Sequence, residues 1–166
     1  PYRADDHALD DDPALAPIFI DFRAEGGQLT TGGQAFYVKG INWFGSEHIS
    51  GRAPFGLHIN SLDYYMEFLS SHGFNAIRLF FNHKSMLDND LVPEHILGYG
   101  VESTDYSHVR YAPELIGVTQ VDMFRKIAQA AAKRHILVML VAIKCGPQSK
   151  RKQFPGGLWY EPDRWC

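Results

Sequence analysis

The chain has 166 residues, of which 45% are hydrophobic and 13% aromatic, a composition that supports a buried core and excludes a wholly disordered protein. The 16 Lys and Arg residues and 19 Asp and Glu residues give a net charge of −3, so no basic surface for nucleic acid is expected. No apolar run reaches the roughly 20 residues of a membrane-spanning helix, and we expect no membrane partner. Two cysteines, Cys145 and Cys166, allow at most one internal disulfide and exclude a four-cysteine zinc site.

The N-terminal region divides into an acidic segment and a set of short strands. Five aspartates and two prolines lie in residues 5–17, and we expect residues 1–17 to form a mobile acidic tail. Residues 18–166 are expected to form the folded part. Apolar stretches at 18–22, 28–30 and 36–38 are separated by paired glycines, a pattern that predicts a small antiparallel hairpin region.

From residue 40 onward the pattern alternates between strands and helices. Strands are predicted at 40–44, 75–81 and 136–142, and helices near 61–72 and 119–134, with Asn60 and Thr119 as N-caps. The strands are apolar on both sides and each crossover contains one helix, which predicts an α/β fold with a parallel sheet. The three strands should lie adjacent in chain order, with right-handed crossovers and both helices on one outer face. The long segment 82–118 is predicted to be a loop, and loops of this length are usually functional or disordered.

Four side chains around the first two strands are candidates for a functional site. Arg78 lies in an otherwise apolar strand, where a cation is costly unless it is paired. It could be an active-site arginine near the C-terminal end of a parallel strand, or part of a structural salt bridge. Asn42 is expected to have a hydrogen-bonding role, and Trp43 could stack on a sugar or belong to the core. Glu47, taken alone, is expected to be solvated rather than catalytic.

Several enzyme classes lack their sequence signatures in this chain. The eight histidines show no metal-binding spacing, and we expect no metal site or cofactor. There is no G-x-S-x-G, no G-x-G-x-x-G after a strand and no P-loop. A serine hydrolase, a dinucleotide-dependent enzyme and an NTPase are therefore unsupported.

Four segments together resemble a known family. They are GINWFGSE at 40–47, GFNAIRL at 73–79, ILVML at 136–140 and LWY at 158–160. The set is similar to the N-terminal part of glycoside hydrolase family 5, the cellulase family, over about residues 28–160. The first two segments, in this order and at this separation, are the more specific ones.

The resemblance implies the first three βα units of a (β/α)₈ barrel, preceded by a β-hairpin and truncated after the third strand. It also implies hydrolysis of β-linked polysaccharides by a retaining, two-glutamate mechanism and an extracellular location. In the family, the acid/base follows the fourth strand in an Asn-Glu-Pro motif and the nucleophile ends the seventh strand. This chain contains no Asn-Glu-Pro, so neither catalytic glutamate is expected within it.

The resemblance also assigns roles to particular residues. Arg78 matches the arginine that lies beside the nucleophile, whereas Asn42, Trp43 and Glu47 match the first-strand segment at the mouth of the site. Two departures concern the second and third strands. Phe80 stands where the family usually has proline. Val141 and Ile143 stand where the third strand of the family usually has an aspartate and a histidine.

Three hypotheses remain open at this point. The first is a β-glycan hydrolase, either cellulase-like or mannanase-like, that is active only as a full barrel. The second is a non-catalytic carbohydrate-binding remnant that retains Arg78 and Trp43. The third is a small flavodoxin-like domain, which would need further strands that residues 144–166 do not clearly offer.

Overall fold

The computed structural model describes residues 20–48, 52–97 and 112–144. These residues belong to two compact units, with the boundary between Tyr37 and Val38. The predictions of an acidic tail at 1–17 and of the LWY match at 158–160 lie outside the described residues, as do both cysteines. Within the described part, none of the helices is long and apolar enough to cross a membrane.

The first unit contains an antiparallel sheet of three short strands. These strands are β1 (Phe22–Glu25), β2 (Gln28–Thr31) and β3 (Gln34–Ala35), in the order β1-β2-β3. Both two-residue turns consist of glycines with positive φ, the backbone geometry of tight hairpin turns. The predicted hairpin region is therefore confirmed.

The predicted position of the second strand, 28–30, is confirmed by β2, whereas the first and third predicted positions were wrong by two to four residues. Ile20 and Asp21 lie before β1, and β3 ends at Ala35 rather than extending over residues 36–38. The turns decide the positions, because pairing begins directly beside each glycine pair, with Glu25 opposite Gln28. The apolar residues used to predict the first and third strands therefore lie at or beyond the outer ends of β1 and β3.

The second unit has three parallel strands and three helices. Its elements are β4 (Gly40–Trp43), α1 (Leu62–Ser71), β5 (Ala76–Asn82), α2 (His83–Asp88), α3 (Gln120–Ala132) and β6 (Leu137–Lys144). The sheet order is β4-β5-β6, and both pairings are parallel. The predicted α/β architecture and strand order are confirmed.

The connection between β5 and α3 is more regular than the sequence suggested. It contains α2 and two short 3₁₀ segments, Glu94–Leu97 and Pro113–Leu115. Asn82 caps α2, because its Oδ1 accepts from the backbone N–H of Ser85 at 2.7 Å. The prediction of an irregular loop over 82–118 was therefore wrong for its described portions. A six-residue helix is too short to give a clear apolar period.

The start of α1 differs from the prediction by one residue. Ser61, not Asn60, is the N-cap, and its Oγ accepts from the Tyr64 N–H at 3.1 Å. The helix ends as expected before Gly73, which has φ +72°. At α3 the predicted cap is confirmed, since Thr119 Oγ1 accepts from the Asp122 N–H.

The two faces of the parallel sheet have different surroundings. On one face, Ile77 and Leu79 of β5 are buried in the same core as side chains of α1 and α3. On the other face, Asn42, Arg78 and Met139 are adjacent in register, and all three are exposed. This second face is called the open face below. The helices thus cover one side of the sheet, as predicted.

The carboxyl-terminal end of α3 is joined to α1 by charged groups. The Arg134 guanidinium lies 2.8 Å from Asp63 Oδ1 and 3.1 Å from Glu67 Oε2. The hydrogen bond to Asp63 is the main cause that raises the pKa of Arg134 above its ordinary value. The ion pairs fix the packing of the two longer helices on their shared side of the sheet.

Candidate functional site

The segment after β4 makes a tight turn that requires glycine. Gly45 has φ +124°, and a Cβ at this position would lie 2.6 Å from the Phe55 nitrogen and 2.8 Å from the Ala53 carbonyl oxygen. The Phe55 N–H in turn donates to the Phe44 carbonyl at 2.9 Å. The turn and the segment before α1 are therefore in direct backbone contact.

Glu47 is buried within this turn rather than solvated. Only 6% of the residue is exposed, and Oε2 accepts a 2.6 Å hydrogen bond from the Gly45 N–H. Its backbone carbonyl accepts from Asn82 Nδ2 at 2.9 Å. The expectation of a solvated loop carboxylate was wrong, because the turn closes over the side chain and uses it as an acceptor. Glu47 and Arg78 form no ion pair with each other.

A buried polar cluster connects the ends of β4 and β5 to the start of α3. Ser46 Oγ donates to the Phe80 carbonyl at 2.6 Å, and Gln120 Nε2 donates to the Ser46 carbonyl at 2.8 Å. Ser46, Asn82 and Gln120 are each at most 1% exposed. Buried polar groups are normally hydrogen-bonded, and these bonds connect the carboxyl end of the sheet to α3, although Gln120 Oε1 is buried without a hydrogen-bond partner among the described residues.

Sequence reasoning had not singled out the members of this cluster. The signal that could have indicated them is a polar residue directly after an apolar strand, as at Ser46 and Asn82. Gln120 carries no such signal, because its partner is 74 residues away in sequence.

Trp43 lies on the helix-covered side of the sheet. Its indole packs against Tyr65 with a ring separation of 5.2 Å, and Nε1 donates to the Phe55 carbonyl at 2.8 Å. The ring is partly buried against the core. Trp43 therefore has a structural role here, and it holds the segment that carries Phe55.

Arg78 projects from the open face. Its guanidinium carbon lies 5.0 Å from the centre of the Phe80 ring, and no carboxylate of a described residue lies within 4.0 Å of it. Asn42 is its neighbour in register; it is exposed, and its side chain makes no hydrogen bond to another described residue. A salt bridge for Arg78 and a hydrogen-bonding role for Asn42 are thus not seen in the described part of the chain.

The position of Arg78 along its strand also requires a correction. It is the third residue of the seven in β5, so it does not lie near the carboxyl end. The strand runs on through Asn82, because its last residues still pair with β6. Arg78 therefore points from the middle of the open face.

Among the described residues, no three His, Cys, Asp or Glu side chains come together in a group that could hold a metal ion. The candidate site therefore consists of Arg78 and Asn42 on the open face and of the aromatic and polar residues that follow β4.

Comparison with known proteins gives matches among solved structures. No protein-family model and no curated protein sequence matches the chain. A Pyrococcus horikoshii endocellulase in complex with cellotetraose is 26% identical, with a TM-score of 0.54, over 82% of this chain and 30% of that protein. A hyperthermostable endocellulase is 25% identical, with a TM-score of 0.60, over 87% of this chain and 35% of its own length.

A third structure shares the fold at lower identity. The catalytic domain of the major endoglucanase from Xanthomonas campestris pv. campestris is 23% identical, with a TM-score of 0.58, over 80% of this chain and 33% of its own. The chain thus spans about a third of the length of these three proteins. Its α/β fold with a parallel sheet is similar to a part of the endocellulase fold, in agreement with the cellulase-like resemblance seen in the sequence.

Proposed function

We propose that this chain is the N-terminal portion of a glycoside hydrolase family 5 barrel that hydrolyses β-linked polysaccharides outside the cell. In this proposal, β4, β5 and β6 are the first three strands of a (β/α)₈ barrel. Two glutamates that lie outside the 166 residues act as acid/base and nucleophile in a retaining mechanism. The substrate is a β-linked glucan, as the endocellulase neighbours suggest.

One observation supports this proposal more strongly than any other observation does. Among the described residues, helices cover only one side of the parallel sheet, and the open face presents Arg78 without a carboxylate partner. Parallel sheets are normally covered on both faces, and in a barrel the second face is the interior. An arginine there can hold a carboxylate from a later strand ionised, because an adjacent cation lowers the pKa of a carboxyl group.

A non-catalytic carbohydrate-binding protein is the second candidate. Its support is the pair of departures in β6, where Val141 and Ile143 replace the polar residues usual for the family. It predicts binding of β-linked oligosaccharides without any hydrolysis, even in the longest natural polypeptide. A mannanase-type enzyme would instead prefer mannan to glucan.

Transcript sequence beyond codon 166 distinguishes the hydrolase from the non-catalytic binding protein. An Asn-Glu-Pro within some tens of codons, at the end of an apolar strand pattern, supports the hydrolase. A stop codon, or further strands without that motif, contradicts the hydrolase and favours the binding protein.

The longer polypeptide, if the transcript encodes it, provides the functional test of Arg78. We expect Arg78→Met to lower turnover of carboxymethyl cellulose by orders of magnitude, because it removes the cation beside the nucleophile. Arg125→Met is the matched control, since this arginine pairs with Asp122 on the surface of α3. Equal activity of the two variants would contradict the assignment of Arg78.

A further inference from the structure

A group of exposed rings lies beyond the carboxyl end of β4. Phe44 and Phe55 are 54% and 40% exposed, and the His48 side chain is 47% exposed. The His48 and Phe55 rings are stacked, with centres 5.8 Å apart and planes inclined by 19°. Phe44 meets Phe55 edge-on at 5.4 Å. The stacked pair is called the His48–Phe55 platform below.

The platform is held in place by groups that are more buried than the rings themselves. The Phe55 carbonyl accepts from Trp43 Nε1, and the Phe55 N–H donates to the Phe44 carbonyl. His48 Nε2 lies 3.7 Å from Oε1 of the buried Glu47. The Phe55 backbone and the His48 imidazole are therefore both attached to the turn after β4, and such attachment lowers the entropy cost of binding.

The location of the platform favours a ligand site over a core contact. In α/β folds, ligands bind beyond the carboxyl ends of the parallel strands, and the turn from Gly45 to His48 directly follows β4. Three aromatic rings exposed together at that end form an apolar patch of the kind that marks binding surfaces. The imidazole adds ring nitrogens that can hydrogen-bond hydroxyl groups.

The ring chemistry matches a sugar with equatorial substituents. A β-linked glucosyl unit carries its hydroxyls at the ring edge and presents flat C–H faces, which pack on the faces of aromatic rings. We propose that the His48–Phe55 platform binds one glucosyl ring of a β-linked glucan by stacking. This inference rests on the proposed function and adds a sugar-binding position at residues that the sequence did not indicate.

The test uses the 166-residue chain and cellohexaose, titrated calorimetrically. Phe55→Leu keeps an apolar side chain but removes the aromatic face, and it should weaken binding about fivefold to tenfold. Phe55→Trp should retain the affinity. The matched control is Phe68→Leu, because Phe68 is 45% exposed and packs on His72 at 4.2 Å, but it lies on α1 rather than beyond β4. Maltohexaose, with α-linkages, should bind more weakly than cellohexaose.

Each alternative result has a defined meaning. Unchanged binding by Phe55→Leu, or an equal loss in Phe68→Leu, overturns the platform and leaves the proposed function intact. Equal affinity for maltohexaose overturns the assignment to β-linked glucan. If the wild-type chain binds no cellohexaose, the platform is also overturned, whereas the proposed function is still decided by the transcript test.

A second measurement covers the case in which Phe55→Leu fails to fold. The imidazole proton resonances of His48 in the wild-type chain should shift on addition of cellohexaose, and those of His72 should not. Unshifted His48 resonances at saturating cellohexaose overturn the inference without any variant.

Discussion

Two arginines of the second unit differ in what surrounds their guanidinium groups. Arg78 is exposed on the open face beside Phe80, whereas Arg134 is 19% exposed in its side chain and pairs with two carboxylates of α1. We expect Arg78→Met to lower the free energy of unfolding by less than about 1 kcal/mol, since an exposed cation–π contact contributes no more than that.

Arg134→Met should cost more, about 1–2 kcal/mol, because it breaks a small network between two helices. The guanidinium of Arg134 stays charged at any pH below the ordinary pKa of arginine, because its folded pKa is raised. The contribution of the arginine to stability is lost only as pH rises through the folded value. Urea denaturation of both variants at pH 7 provides the measurement. A larger loss in Arg78→Met than in Arg134→Met would show that Arg78 is a structural residue.

Gly45 is a position where the addition of a single Cβ atom should lower stability. Gly45→Ala would place a Cβ against the Phe55 backbone and force φ +124° on a residue that disfavours it, so a loss of about 3 kcal/mol or more is expected. Gly117→Ala is the control, because Gly117 also has positive φ but nothing lies within 4 Å of its Cβ position. It should cost only about 1 kcal/mol. Thermal unfolding followed by circular dichroism compares the stabilities of the two variants. Similar losses of stability would rule out steric contact as the main cause of the Gly45→Ala effect.

At the scale of elements, the start of α1 offers a direct test of which residue is the cap. Ser61→Ala should lower the free energy of unfolding by about 1 kcal/mol, because the Tyr64 N–H loses its acceptor. Asn60→Ala should change it by only a few tenths, since Asn60 lies before the cap. Urea denaturation of both variants shows which residue is the N-cap. A larger loss of stability in Asn60→Ala than in Ser61→Ala would support the sequence prediction that Asn60 is the cap.

The parallel strands were predictable because their residues are apolar on both sides and their helices have a clear 3.6-residue period. The order and direction of β4, β5 and β6 then follow from the helical crossovers between them. The first and third hairpin strands were misplaced because the glycine turns, not the apolar residues, determine where pairing starts. The short α2 was missed because six residues cannot display a period.

The site was only partly predictable for a related reason. Arg78 was identified because a cation in an apolar strand is unusual, and its exposure on the open face agrees with that signal. Glu47 and Gln120 were misjudged or missed because burial depends on contacts made across the fold. The carboxylate of Glu47 accepts from a backbone N–H within its own turn, a contact that residue type alone does not reveal.

At the scale of the second unit, two surfaces lack, within the part of the chain that the structure describes, the neighbours that an α/β sheet normally has. Met139 on the open face is 61% exposed. At the unpaired edge of β4, an apolar cleft of about 360 Å³ lies between the strand and α1, lined by residues that include Trp43, Tyr64 and Phe68. A strand edge with free N–H and C=O groups beside an apolar cleft is the geometry that a further βα unit would complete. Both surfaces agree with the proposed barrel.

The same proposal predicts that the 166-residue chain alone hydrolyses neither cellulose, β-glucan nor mannan. A retaining glycosidase needs two carboxyl groups about 5 Å apart, and acid catalysis and nucleophilic attack each contribute orders of magnitude to the rate. Glu47 follows β4 at the expected end of the sheet, but its carboxylate is buried and bonded to the Gly45 N–H. Reducing-sugar release should therefore equal that of a blank for the chain and for Glu47→Gln, with an endocellulase as the positive control. Release by the chain that disappears in Glu47→Gln, while circular dichroism shows the variant folded, would place a catalytic acid inside these residues and contradict the proposed division of the barrel.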